Sequence, residues 1–281
     1  MPDSSKKDFV EALARGLEVI RSFDRLHMKQ TISQISERTL LARPTVLRLL
    51  ITLEELGYVR ELENRYSLTP KVVDLGMAYI SSLGLYGSAK PHMELLSKQV
   101  DQTVSLAELD GSDIVYTGRV EVPKIVSVGV TVGARLPSAS TALGRVLLAD
   151  LSLAELEEVL NTPTMSMFYP RTNFTADQLR PRLDLVRNKG WAESDEDLQY
   201  GVHAIAAPIR GEHGDVVAAV GIGVHTSEVP KEVVRENYLP LLLEAAKGIE
   251  NDWHKCAELP TSMASLNLDG LQLLHLRRNN S

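Results

Sequence analysis

The sequence predicts an α+β protein of two domains, and three observations predict it. Apolar residues at helical spacing govern the first hundred residues, interrupted by one short alternating segment. Alternating and β-branched runs take over from residue 103, and helical stretches return between and after them. At 281 residues the chain is about twice the usual single-domain length.

Phe9, Leu13, Leu17 and Ile20 recur every three or four residues, so a first helix is expected over residues 8–24 with these side chains on its buried face. After a polar break at His27, Lys29 and Gln30, Thr31 and Gln34 have capping-box spacing ahead of Ile32, Ile35 and Thr39. A short second helix ending near Thr39 follows. Leu40, Leu41 and Ala42 make the turn into a third helix, with Pro44 at a favoured first position and Val46, Leu49, Leu50, Leu53 and Leu56 facing inward. Gly57 stands where a C-terminal cap belongs. The alternating run 58–68, with Glu63 and Asn64 at its turn, reads as a hairpin. Together these elements predict a winged helix-turn-helix over residues 9–69, after a tail at 1–8.

A helical linker is expected over 70–101: one helix from Pro70 through the eighties, a break between Gly84 and Gly87, and a second helix at 89–100. In the second domain, 102–253, strands are expected at 104–109, 114–120 and 125–130, then helices at 143–151, 153–160 and 176–188, the last ending at Gly190. Residues 204–209 and 216–224 form a hairpin around Gly211–Gly214, and 233–253 a closing helix. The acidic run Glu193, Asp195, Glu196 and Asp197 reads as a solvated loop. Residues 254–281 read as a loosely ordered tail.

Composition bounds the chemistry. No stretch reaches the roughly 20 apolar residues of a membrane span, and the opening residues lack a signal-peptide core, so a cytoplasmic protein without a membrane partner is expected. Cys256 is the sole cysteine and is expected as a free thiol. The seven histidines show no metal-ligand spacing, and no GxSxG elbow, phosphate loop or CxxC occurs. Neither an enzyme nor a metal or other cofactor is expected. The net charge is −7, yet residues 1–70 carry eleven Lys and Arg against ten Asp and Glu, a balance of +1 that leaves −8 downstream.

A weakly basic head of this form suits double-stranded DNA. The third helix offers Arg43, Pro44, Thr45 and Arg48 near its N-terminus, where side chains meet base edges and phosphates. Thr31 and Ser33 at the start of the second helix, and Arg60 and Arg65 on the hairpin arms, complete the candidate contacts. Three helices and a hairpin also occur in proteins that never meet DNA, so periodicity alone leaves both readings open.

The stretches FVEALARGLEVIRSF (9–23), ARPTVLRLLITLEELGYV (42–59) and YSLTPKVVDLGMAYISS (66–82) resemble the winged-helix head of IclR-type regulators. ARLPSASTALGRVLLA (134–149) and GVHAIAAPIRGEHGDVVAAVGIGV (201–224) resemble two signature segments of that family's ligand-sensing domain. The opening phrase, LTPKVVDLG and GRVLLA further resemble the branch that controls aromatic-acid breakdown through the β-ketoadipate route. The resemblance implies a GAF-like effector domain with an antiparallel sheet, a DNA operator as partner, a homodimer or dimer of dimers, and an aromatic or keto acid as effector. Another carbon-source pathway with a different small acid stays open. Leu40 stands where the family often has glycine, which predicts a less left-handed turn. The SAST segment lacks the bulkier aromatic residue common in the aromatic-acid branch, which leaves the effector open.

Ser138, Ser140 and Thr141 precede a helix, so their hydroxyls and the first backbone N–H groups suit a carboxylate. The resemblance adds Ala142, Leu143, Ser194 or Asp195, Ala204, Gly221 and Gly223 as lining positions, glycine leaving room for ligand. His203 is expected on the opposite face of its strand from Ala204. Arg135, Arg145 and Trp191 are weaker candidates, each with a plain alternative as a surface charge or core aromatic.

Overall fold

A computed structural model describes residues 8–24, 26–82, 84–124, 129–168, 170 and 172–258. The expected tails fall mostly outside these residues. The chain divides into two compact units after Ser82.

In the first unit, α1 (Glu11–Arg21), α2 (Ile32–Thr39) and α3 (Arg43–Glu55) precede the hairpin β1 (Val59–Leu62) and β2 (Arg65–Leu68), and α4 (Val72–Ser82) follows. The capping box opens α2 as expected: Thr31 Oγ1 accepts from Gln34 N–H, and the Gln34 side chain accepts from Thr31 N–H at 2.9 Å. Gly57, at φ +79°, releases the chain from α3, and Glu63 and Asn64, both at positive φ, turn the hairpin. Val19, Ile35, Val46, Leu50, Leu53, Val59 and Tyr66 form the core. Gln30 exchanges two backbone hydrogen bonds with Tyr66, at 2.9 and 2.7 Å, and so adds a bridge beside the wing.

Three expectations fail here. Leu40 is fully left-handed, at φ 58° and ψ 18°. The tight turn demands that conformation, and with 92% of its surface exposed the side chain meets no packing that would resist it. Leu13 and Leu17 point to solvent, because α1 packs through the fully buried Val19, off the expected stripe, and through Ile20, which meets the core as expected. Leu56 ends α3 exposed, one step past its buried face.

The second unit holds one antiparallel sheet of six strands, ordered β5-β4-β3-β8-β7-β6. They are β3 (Val104–Asp110), β4 (Asp113–Val120), β5 (Arg135–Pro137), β6 (Ala192–Asp195), β7 (Val202–Arg210) and β8 (Val216–His225). On one face lie α5 (Leu85–Val100) and α10 (Leu239–Glu258), which bury Met93, Leu96, Leu242 and Ile249 against Val104, Ile205, Val220 and Ile222. A three-residue turn α9 (Lys231–Val233) and a π-helical turn (Val234–Tyr238) lead into α10. The other face carries α6 (Ala142–Asp150), buried along all but its last residue, with α7 (Leu153–Asn161) and α8 (Ala176–Lys189). Strand pleating sorts the residues: Ala204 and Ala206 face α6, whereas Ile205 and Ala207 face α10.

Here too the structure revises the expectation. The second linker helix begins at Leu85, after Gly84 at φ +64°, and Leu85, Ala89, Met93, Leu96 and Val100 place it in the core of the second unit. The Gly84–Gly87 region suggested a later start, but burial of this apolar face outweighs the cost of Gly87 and of Pro91 inside the helix. β5 and β6 were not foreseen, and the acidic run begins in β6 rather than forming a loop throughout. Of the strand expected at 125–130, residues 125–128 lie outside the described residues, and Gly129 and Val130 are not in a strand.

Candidate nucleic-acid interface and ligand cavity

The first unit offers cations where a groove-binding helix needs them. Arg43 and Pro44 open α3, Arg48 lies one turn on, and all three are exposed, as are Ser33, Arg60 and Arg65. Among the described residues Arg43, Arg48 and Arg65 carry no side-chain hydrogen bond or ion pair, so their charge is unspent. Arg60 Nε donates to Ser67 Oγ at 3.3 Å across the hairpin. Thr45 is half-buried. Thr31 is taken up by its cap, since its hydroxyl both accepts from Gln34 N–H and donates to Gln34 Oε1 at 3.2 Å.

In the second unit a cavity of about 120 Å³ lies on the α6 side of the sheet. An apolar cavity of about 150 Å³ takes up benzene, so this somewhat smaller space is on the scale of a single small ring and no more. Of the residues singled out from the sequence, Ser140, Thr141, Ala142 and Leu143 line it from the start of α6, and Ser194, Ala204, Gly221 and Gly223 from the sheet. The two glycines differ. A Cβ on Gly223 would meet nothing within 4 Å, so that position does leave space, whereas one on Gly221 would lie 2.8 Å from the Ile205 carbonyl oxygen.

Two candidates do not line the cavity. Ser138 sits in a 3₁₀ turn (Ser138–Ser140) and its Oγ donates to the Ser112 carbonyl at 2.7 Å. Asp195 lies one residue beyond Ser194, so strand alternation turns it to the α10 side, where it accepts from Lys231 Nζ at 2.6 Å. That hydrogen bond holds its carboxyl below the ordinary carboxylate range.

Sequence reasoning missed the cationic end. Arg119 of β4 lies opposite Ser105 of β3, which in turn lies opposite Gly221 of β8, so one register row carries a guanidinium to the cavity. Lys124 lines the same cavity, its ammonium 2.9 Å from Asp101 and its pKa raised by that hydrogen bond. Tyr116, also lining, is pushed up to about 12 by burial, which keeps its phenol protonated. Only the strand pairing, which brings residues 105, 119 and 221 side by side, reveals this row.

The weaker candidates resolve into structural roles. Arg145, almost wholly buried, donates to Asp197 Oδ2 at 2.7 Å and to the carbonyls of Glu193 and Ala139 at 2.8 and 3.1 Å. Arg135 pairs with Asp110 and Asp113. Trp191 packs beside the core on the α10 side. His203 faces away from Ala204 as expected but is fully buried, its Nε2 3.4 Å from Glu193 and Nδ1 3.9 Å from Asp195, neither close enough in geometry for a hydrogen bond. Among the described residues no cluster of side chains suited to a metal ion occurs.

Residues 12–63 match the family model described as the IclR helix-turn-helix domain, and residues 77–251 the one described as bacterial transcriptional regulator IclR C-terminal. The chain is 38% identical over 243 residues to a Pca regulon regulatory protein of Pseudomonas putida, covering 86% of this chain and 84% of that one. It is 32% identical over 251 residues to a Pca operon regulatory protein of Acinetobacter baylyi, covering 87% and 90%. Among solved structures it resembles an IclR homolog from Microbacterium hydrocarbonoxydans complexed with 4-hydroxybenzoate, at 28% identity and a TM-score of 0.74 over 87% of this chain and 99% of that one.

Proposed function

The chain belongs to the IclR family of bacterial transcriptional regulators, and from that membership we propose that it holds operator DNA through α3 and the wing while an aromatic hydroxy acid in the second-unit cavity tunes that grip. The observation that carries the reading is the cavity: one ring in size, apolar at Ala142, Leu143 and Ala204, and polar at both ends. The Pca regulators and the 4-hydroxybenzoate complex among its relatives favour an aromatic acid over a short keto acid.

On the DNA, Arg48 and Arg43 reach base edges and phosphates in the major groove, and Arg65 on the wing contributes salt-dependent attraction to the backbone. The active form is a homodimer, a reading supported by the exposed Leu13 and Leu17 of α1 and Val73, Leu75 and Met77 of α4, apolar side chains that a partner copy would cover. A dimer also matches paired half-sites on DNA. No helix among the described residues is long and apolar enough to cross a membrane, and a regulator of chromosomal DNA works in the cytoplasm. Effector and operator affinities are reciprocally coupled, whichever direction the coupling takes.

The test is a thermal-shift screen of the full chain with 4-hydroxybenzoate, protocatechuate, β-ketoadipate and pyruvate, followed by operator titrations with and without any hit. A shift with an aromatic acid that also changes operator affinity is expected. A response to pyruvate alone would overturn the aromatic reading, and an unchanged operator affinity would overturn the coupling.

A further inference from the structure

We infer that Arg119 is the anion anchor of this cavity, so that the effector lies with its carboxylate toward β4 and its neutral hydroxyl toward α6; the assignment rests on the aromatic-acid reading above. It reverses the orientation that the helix N-terminus suggests.

The hydroxyl donors at the start of α6 are spent. Thr141 Oγ1 accepts from Gly144 N–H at 3.0 Å and donates to the Ser138 carbonyl at 3.3 Å, and Ser140 Oγ donates to the Thr172 carbonyl at 3.1 Å. What these oxygens still offer is lone pairs, which repel a carboxylate but accept a proton from a phenol. Ser194, buried on the same side of the sheet, lies on the edge strand at that end.

The opposite end has the reverse character. The Arg119 side chain is only 11% exposed and carries a full positive charge along the row Arg119, Ser105, Gly221. Its Nη1 donates to Ser105 Oγ at 3.2 Å, which fixes the guanidinium plane, and its Nε donates to Glu121 at 2.9 Å. Glu121 is 62% exposed. A carboxylate held mostly in water gains little from its partner, whereas one carried on a ring into the cavity loses its water on entry and depends on that guanidinium. Glu121 takes only the Nε donor and leaves Nη2 for a ligand, but its negative charge beside the same guanidinium opposes that of an incoming carboxylate. Lys124, held by the still more exposed Asp101, adds a second positive charge at this end, and Glu228, which also lines the cavity near Lys124, sets one negative charge against it, so that Arg119 is the cation left to the ligand.

The arrangement predicts opposite effects from two neighbouring substitutions. Arg119→Gln removes the anchor while keeping a side chain that can bond Ser105; Glu121→Gln removes the opposing charge. Binding of 4-hydroxybenzoate and of its uncharged analogue 4-hydroxybenzamide to the full chain is measured by calorimetry, with melting curves confirming that each variant is folded. The wild type is expected to prefer the acid by at least about tenfold, the worth of a charge-assisted hydrogen bond. Arg119→Gln brings that ratio close to one, and Glu121→Gln raises acid affinity several-fold while leaving the amide unchanged. A preference that survives in Arg119→Gln would return the carboxylate to the α6 N-terminus and overturn the assignment, as would a Glu121→Gln variant that binds the acid no better. If Arg119→Gln does not fold, the Glu121 variant decides alone. A wild type that binds neither compound would overturn the aromatic reading as well, so the two failures are distinguishable.

Discussion

Arg145 and Asp197 meet at 2.7 Å with their side chains 3% and 11% exposed, fifty-two residues apart in sequence. Charges taken this far out of water are costly singly and tolerable together, because the same guanidinium also donates to the carbonyls of Glu193 and Ala139. Asp197→Ala leaves a buried cation with no counter-charge and is expected to cost about 3–5 kcal/mol. Urea unfolding of the two proteins measures the loss; a change within 0.5 kcal/mol, the ordinary range for a surface substitution, would show the pair to be idle.

Arg48→Ala is expected to weaken operator binding by about 1–3 kcal/mol and to relax sequence preference at one position, while the melting shift given by 4-hydroxybenzoate stays unchanged. Arg65→Ala is expected to act differently, lowering affinity for all sequences and reducing the slope of log affinity against log salt by about 1. Fluorescence anisotropy over a salt series separates the two, and equal salt slopes in wild type and Arg65→Ala would remove the wing from the backbone contact.

Gly144→Ala is expected to disturb the start of α6 and the cavity together. A Cβ at that position would lie 2.1 Å from the Ser138 carbonyl oxygen, so the 3₁₀ turn or the helix must shift. Overpacking of this kind typically costs about 1–3 kcal/mol, and calorimetry should also show lost effector binding. A variant that melts and binds as wild type would mean that the turn yields freely.

Burial lowers the pKa of His203, outweighing the attraction of Glu193 and Asp195, and Lys231 and Arg235 lower it further. The unfolded chain takes up a proton near pH 6.5 that the folded chain refuses, so stability is expected to fall as pH drops from 7.5 through 6.5 toward the depressed folded value. The lowered Asp195 carboxyl acts only below about pH 4 and leaves this window to the histidine. Unfolding free energies at pH 7.5 and 5.5 should differ more in wild type than in His203→Leu. Equal differences would mean that the imidazole keeps its ordinary pKa.

What could be read from residues alone was whatever depends on near neighbours. The Thr31–Gln34 box, the Gly57 exit and the Glu63–Asn64 turn are local arrangements and appear as expected. Leu40 was misjudged because intrinsic preference is a weak vote where two helices must be joined in a few residues. The inward face of α1 was misjudged because periodicity finds an apolar stripe without saying which part of it meets the chain's own core. In the cavity, the positions near α6 were legible through the family resemblance, but Asp195 was one pleat out of step with Ser194, and Arg119 becomes a neighbour of Gly221 only through two antiparallel pairings.

The place of the Arg145–Asp197 pair in the sheet has one more consequence. β6 is the outermost strand, and its free side would present unpaired peptide groups to any passing chain. Arg145 occupies the carbonyl of Glu193, and Asp197 accepts from the backbone N–H of Asp195 at 3.3 Å. The two side chains thus stand in for a seventh strand, and this edge of the sheet offers no template for open-ended pairing with further chains.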